Sequence, residues 1–133
     1  MKKVINLSLA AILFGVLFLS SCAKQDDPTP VTPTFIGYWH VAENSTDYGT
    51  STYYCTISDS SDATHILFAY LYGFNKKIYG THGGSNFTIP AQTIQGNSVS
   101  GTGVLANANQ INMTYLVRTT TIHYDTVRAV LTK

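Results

Sequence analysis

Ser98-Val99-Ser100-Gly101-Thr102-Gly103-Val104-Leu105-Ala106, a break at Asn107-Ala108-Asn109, then Gln110-Ile111-Asn112-Met113-Thr114-Tyr115-Leu116-Val117-Arg118: this stretch decides the fold. In its second half Ile111, Met113, Tyr115 and Val117 fall on every other position, the period of a strand with one buried face. In its first half Val99, Gly101, Gly103 and Leu105 share a face. Glycines at alternate strand positions mark tight curvature or the close approach of another backbone. So short a polar turn between the two runs forces them to pair antiparallel.

The same period continues in both directions. Upstream, strands are predicted over Ile36–Glu43, Ser51–Ser58, His65–Tyr72, Lys77–His82 and Asn86–Pro90; downstream, an eighth covers Ile122–Leu131. Trp39 and Val41 share one face of the first strand, and Tyr53, Cys55 and Ile57 one face of the second. No window carries the i, i+3, i+4, i+7 recurrence of a long amphipathic helix. The expected fold is therefore all-β, an antiparallel eight-stranded meander closed into a small barrel, because closure removes the exposed edges. A two-sheet β-sandwich is the runner-up.

Before the barrel, the chain reads as an address and a spacer. Lys2 and Lys3 precede an apolar run from Leu7 to Leu19, broken by Ser8 and ending in Leu19-Ser20-Ser21-Cys22. Those thirteen residues fall short of the ~18 that span a bilayer, and they suit a signal-peptide core. The final four resemble the lipobox of bacterial lipoproteins, which implies cleavage after residue 21 and acylation of Cys22. Ala23-Lys24-Gln25-Asp26-Asp27 is similar to the acidic export signal of Bacteroides-group surface lipoproteins. Pro28-Thr29-Pro30-Val31-Thr32-Pro33 favours polyproline II. The expected organisation is a signal peptide over 1–21, an acylated tether over 22–34 and a barrel domain over 35–133. The expected location is the outer membrane, anchored through lipid and facing the cell surface, with the periplasmic leaflet as alternative.

Gly37-Tyr38-Trp39 resembles the Gly-x-Trp signature of lipocalins and related calycin barrels. That resemblance implies a tryptophan plugging the closed barrel end with an arginine of the last strand packed across it; Arg128 is the candidate. Alternation, however, puts Arg128 on the polar face of its strand. From His65 onward the chain resembles small lipocalin-like lipoproteins of the Bacteroides group. The carrying stretches are Asn86-Phe87-Thr88-Ile89-Pro90-Ala91-Gln92, Val99-Ser100-Gly101-Thr102-Gly103 and Ile111-Asn112-Met113-Thr114-Tyr115. The resemblance implies a binding module with a small apolar ligand in the barrel mouth. So short a barrel domain argues for an interior filled by side chains.

Composition narrows the function classes. Charged residues are 11% of the 133 and the formal net charge is +1, which gives no footprint for nucleic acid. Cys55 is left alone once Cys22 is acylated and reads as a small buried apolar residue. His40, His65, His82 and His123 lie on different strands or strand ends without metal-ligand spacing, so no metal or other cofactor is expected. Gly101-Thr102-Gly103-Val104-Leu105-Ala106 matches a nucleotide fingerprint in letters only, because that motif needs a helix after the strand. No carboxylate pair stands out, and the protein is read as non-enzymatic. Nine of the sixteen aromatic residues are tyrosine. Tyr53, Tyr70, Tyr72 and Tyr115 are the candidate contacts for a ligand, or for a glycan or protein partner met at the surface. Asp125-Thr126-Val127 resembles a Bacteroides-group O-glycosylation motif, which makes Thr126 a candidate position.

Overall fold

The computed structural model describes residues 34–119 and 122–133. The expected signal peptide, Cys22 and the expected tether up to Pro33 lie outside the described residues. Eight strands follow one another: β1 Gly37–Ser45, β2 Gly49–Asp59, β3 His65–Ala69, β4 Ile78–Gly83, β5 Asn86–Ile94, β6 Asn97–Asn107, β7 Gln110–Arg118 and β8 Tyr124–Thr132. Each pairs antiparallel with the next, and β8 returns to β1, closing the barrel. The meander is closed; the two-sheet alternative is not adopted.

Alternation fills the inside. Trp39 and Val41 from β1, Cys55 and Ile57 from β2, and Ile66 and Phe68 from β3 are buried. Ile111, Met113, Tyr115 and Val117 from β7 meet Val127, Ala129 and Leu131 from β8 in the same interior. The glycines of β6 explain how large rings fit so narrow a barrel. A Cβ on Gly101 would stand 2.7 Å from the Thr114 carbonyl oxygen and 2.8 Å from Tyr115 Cα. On Gly103 it would meet the Phe87 ring and stand 2.8 Å from Met113 Cβ. The bare backbone of β6 is thus the floor on which Tyr115 and Phe87 lie.

Trp39 seals one end. Its indole N–H donates to the Phe35 carbonyl at 2.8 Å, and the Lys133 ammonium sits 4.4 Å from its ring centroid. Lys133 also donates to the Ile36 carbonyl at 3.1 Å. Gly37 belongs to this seal, since its φ is +144° and a Cβ there would lie 3.0 Å from Lys133 Cε.

Two strand predictions need correction. The third strand stops at Ala69, not Tyr72, because Tyr70 and Tyr72 take φ of 68° and 55° and the chain turns through a 3₁₀ segment, Leu71–Gly73. The fifth strand does not stop at Pro90. Pairing shifts between Ile89 and Gln92, so Pro90 and Ala91 face β6 across a bulge, the position where a missing N–H costs least. Gln92 repairs the other side: its amide accepts from Tyr79 N–H at 3.0 Å and donates to the Tyr79 carbonyl at 2.7 Å, standing in for a strand residue.

Candidate functional site

Three of the four candidate tyrosines converge inside the barrel, toward the end away from Trp39, around two acids that sequence reasoning passed over. Glu43 Oε2 accepts from Tyr53 at 2.7 Å and Tyr115 at 2.6 Å, while Oε1 accepts from Ser51 at 3.0 Å. Asp125, 0% exposed, accepts from Tyr72 and Ser45 on Oδ2 at 2.6 and 2.7 Å. Its Oδ1 accepts from Thr46 Oγ1 at 2.9 Å and Asp47 N–H at 3.3 Å. The two clusters are joined, for Tyr72 N–H donates to the Tyr53 hydroxyl at 2.9 Å.

The chain order accounts for this network. Glu43 continues the inward series Trp39, Val41, and Asp125 precedes the inward series Val127, Ala129, Leu131. Phase alone was the signal that both acids point inside. Among the described residues, no buried side-chain nitrogen or oxygen lacks a partner. Burial pushes the Tyr115 phenol far up, helped by the neighbouring Tyr53 and Glu43. Burial likewise raises Tyr53 and Tyr72, each also bound to a carboxylate. Asp125 is pulled both ways: burial raises it, but the bonds donated by Tyr72, Ser45, Thr46 and Asp47 outweigh burial and hold it below the usual carboxylate range. The phenols therefore keep their protons at neutral pH, and the network ties β1, β2, β7 and β8 to the turn that carries Tyr72. It also holds Tyr72 in its left-handed conformation, which a bulky residue adopts only when surroundings over-determine it.

Tyr70, the fourth candidate, stays outside and is 61% exposed. Tyr48 joins it at this rim, its ring edge-on to Tyr72 at 6.3 Å. Arg128 is corrected: it does not cross Trp39. Its Cα pairs with Asn44 and Thr114, five residues before the Lys133 that covers the indole, and its side chain is on the outer face. Thr126 is half-buried in β8, its N–H donating to Thr46 Oγ1 at 3.0 Å, and the preceding Asp125 is enclosed in the network. Cys55 is buried, and burial pushes its thiol up to about 12. His82 packs edge-on to Phe35, His65 pairs with Asp62, and His123 pairs with Asp47 at 2.7 Å. Among the described residues, no group of three or more His, Cys, Asp or Glu could hold a metal ion.

The outside of the barrel carries a feature that strand counting did not single out. Tyr38 and Tyr54, 63% and 53% exposed, stack at 4.8 Å with their rings 8° apart. His40 stands edge-on to Tyr54 at 5.2 Å. Cross-strand geometry places them, since His40 is directly opposite Tyr54 and Tyr38 is its diagonal neighbour. Over β5 to β8, offset along the strands from this platform, runs a groove of about 650 Å³, lined among others by Thr102, Val104, Asn112, Thr114, Arg128 and Val130. No family model and no curated protein matches the chain.

Proposed function

We propose that the protein is a lipocalin-like lipoprotein of the Bacteroides type, held on the outer membrane through Cys22 and acting as a non-enzymatic binding module. Its partner, a glycan or a protein of the cell surroundings, meets the outer face of the barrel. The observation carrying this reading is the exposed Tyr38–Tyr54 stack on the outer face, with a groove of mixed apolar and polar lining further round the same face. Stacked tyrosines offer flat apolar area with a hydroxyl at the rim, at little entropic cost.

The filled interior supports the same preference. A small apolar ligand would need about 300 Å³ or more of open space. Along the barrel axis that space holds Trp39, Phe68, Phe87, Ile111 and Tyr115, each no more than 2% exposed. The sequence from Leu19 to Cys22 supports the anchor, and the tether is long enough to set the barrel off the bilayer surface.

Native mass spectrometry of the full-length protein, extracted from membranes in detergent, tests the exterior reading. The expected spectrum holds the protein with its acyl chains and no further apolar molecule. A stoichiometric apolar passenger would contradict it. Metabolic labelling with a fatty-acid analogue tests the anchor separately, since Cys22→Ala should abolish the label and equal labelling would refute acylation there.

A further inference from the structure

The groove over β5 to β8 has a composition that selects among partners. Its two outermost rows follow directly from strand register. Thr88, Thr102, Thr114, Arg128 and Asn44 stand in line across β5 to β1, and Asn86, Val104, Asn112, Val130 and Ala42 form the next line. Hydroxyls and amides thus border a strip carrying Val104 and Val130, 38% and 41% exposed. One charge enters the groove, the Arg128 guanidinium, and no acid lines it. Among the described residues the ion pairs are His65–Asp62 and His123–Asp47, so Arg128 has no carboxylate partner there. His40 is opposite Thr132 on β8, so the aromatic platform begins on the next strand, two residues along from Val130 and four from Arg128, a span that a chain of several sugar rings covers.

Resting on the reading of the barrel as an outer-face binding module, we infer that this groove binds an acidic saccharide. Sugar rings present an apolar C–H face and a rim of hydroxyls. The first stacks on Tyr38 and Tyr54 and on the valine strip. The second meets Thr102, Asn112 and Thr114. A carboxylate or sulfate on the sugar is matched by Arg128, whose planar fork suits either group in two-point hydrogen bonding. A neutral glycan leaves that guanidinium unused, and a basic partner is repelled by it. The groove's volume of about 650 Å³ exceeds what one sugar ring fills, so an oligosaccharide and not a monosaccharide is the matching size.

Calorimetric titration of the full-length protein in detergent tests the inference with three trisaccharides: galacturonic acid, sulfated galactose and uncharged galactose. At least one charged sugar should bind roughly tenfold or more tightly than the uncharged one, the range of a charge-assisted hydrogen bond. Arg128→Gln should reduce the charged sugars to the uncharged level. Arg118→Gln, the same charge change outside the groove, should leave the preference intact. Which charged probe wins separates carboxylate from sulfate recognition. Equal affinity for all three sugars, equal damage from Arg118→Gln and Arg128→Gln, or no binding of any sugar overturns the inference. Tyr54→Ala separates this failure from the wider one. If it weakens binding while Arg128→Gln does not, charge recognition falls and the outer-face reading stands. If bound sugar is indifferent to Tyr54→Ala as well, both fall. Circular dichroism of each variant confirms a folded barrel, which these exposed positions should not disturb.

Discussion

Replacing Asp125 should separate the cost of losing an acceptor from the cost of losing a charge. Asp125→Ala leaves four donors without their acceptor: Ser45 and Thr46 hydroxyls, Asp47 N–H and the Tyr72 phenol. Thr46 and Asp47 are exposed and can turn to water, whereas Ser45 is buried and Tyr72 half-buried. Two orphaned donors at about 1–3 kcal/mol each give a loss of roughly 2–6 kcal/mol. That is a large share of the ~5–15 kcal/mol that holds a domain together. Asp125→Asn should cost less, on the order of 1–2 kcal/mol, because the Ser45 and Tyr72 hydroxyls can rotate to accept from the new amide. Urea unfolding at neutral pH, followed by the far-UV signal, measures both. The same variants carry a pH signature. Asp125 has a depressed pKa in the fold, so between that value and the ordinary ~3.9 the unfolded chain binds more protons. Its contribution is complete above about pH 5 and is lost as pH falls through the folded value. Wild type should show this acid loss and Asp125→Asn should lack that component. If the two variants are as stable as wild type, or Asp125→Asn loses stability in acid just as wild type does, Asp125 does not stabilise the fold through this network.

Four other outcomes are expected. Tyr115→Phe removes one bond to a buried carboxylate and should cost about 1.5–3 kcal/mol in the same unfolding assay. At the alkaline end, Tyr53, Tyr72 and Tyr115 keep their protons in the fold but release them near pH ~10 when unfolded. Stability should therefore fall as pH rises past that point, with their phenolate absorbance arriving together with unfolding; ionisation of all three in a still-folded barrel would contradict the burial. Gly103→Ala drives a methyl into the Phe87 ring and should destabilise by ~1–3 kcal/mol, read as a lowered melting temperature. Cys55, buried and with its thiol raised to about 12, should resist a thiol reagent until urea unfolds the chain.

Most of the architecture was legible because a barrel leaves one face of each strand dry and the other wet. Ile111, Met113, Tyr115 and Val117 declare the seventh strand, and the observed Gln110–Arg118 matches the expected span. The third strand was over-extended for a physical reason. Tyr70-Leu71-Tyr72 reads as continued alternation, whereas its left-handed turn is fixed by Tyr53 and Asp125, partners 19 and 53 residues away. Pro90 looked like a strand end because local rules cannot foresee a Gln92 side chain replacing a backbone pair. The seal on Trp39 depended on where β8 aligns with β1, and that register brings Lys133, not Arg128, over the indole. Of the site, the tyrosines were visible by type but not by direction. Tyr53, Tyr72 and Tyr115 turn inward to Glu43 and Asp125, while Tyr38 and Tyr54, never singled out, make the exposed stack.

Whether partners meet the outside or the inside of the barrel is decided most directly by chemical-shift mapping of the full-length protein in detergent. The two probes are the galacturonic acid trisaccharide and a medium-chain fatty acid. The saccharide should move resonances of Tyr38, Tyr54, Thr114 and Arg128, and the fatty acid should leave those of Phe68, Ile111 and Val99 in place. Shifts in the inward residues on adding the fatty acid, with the outer platform silent to both probes, would contradict a closed core that works through its outer face.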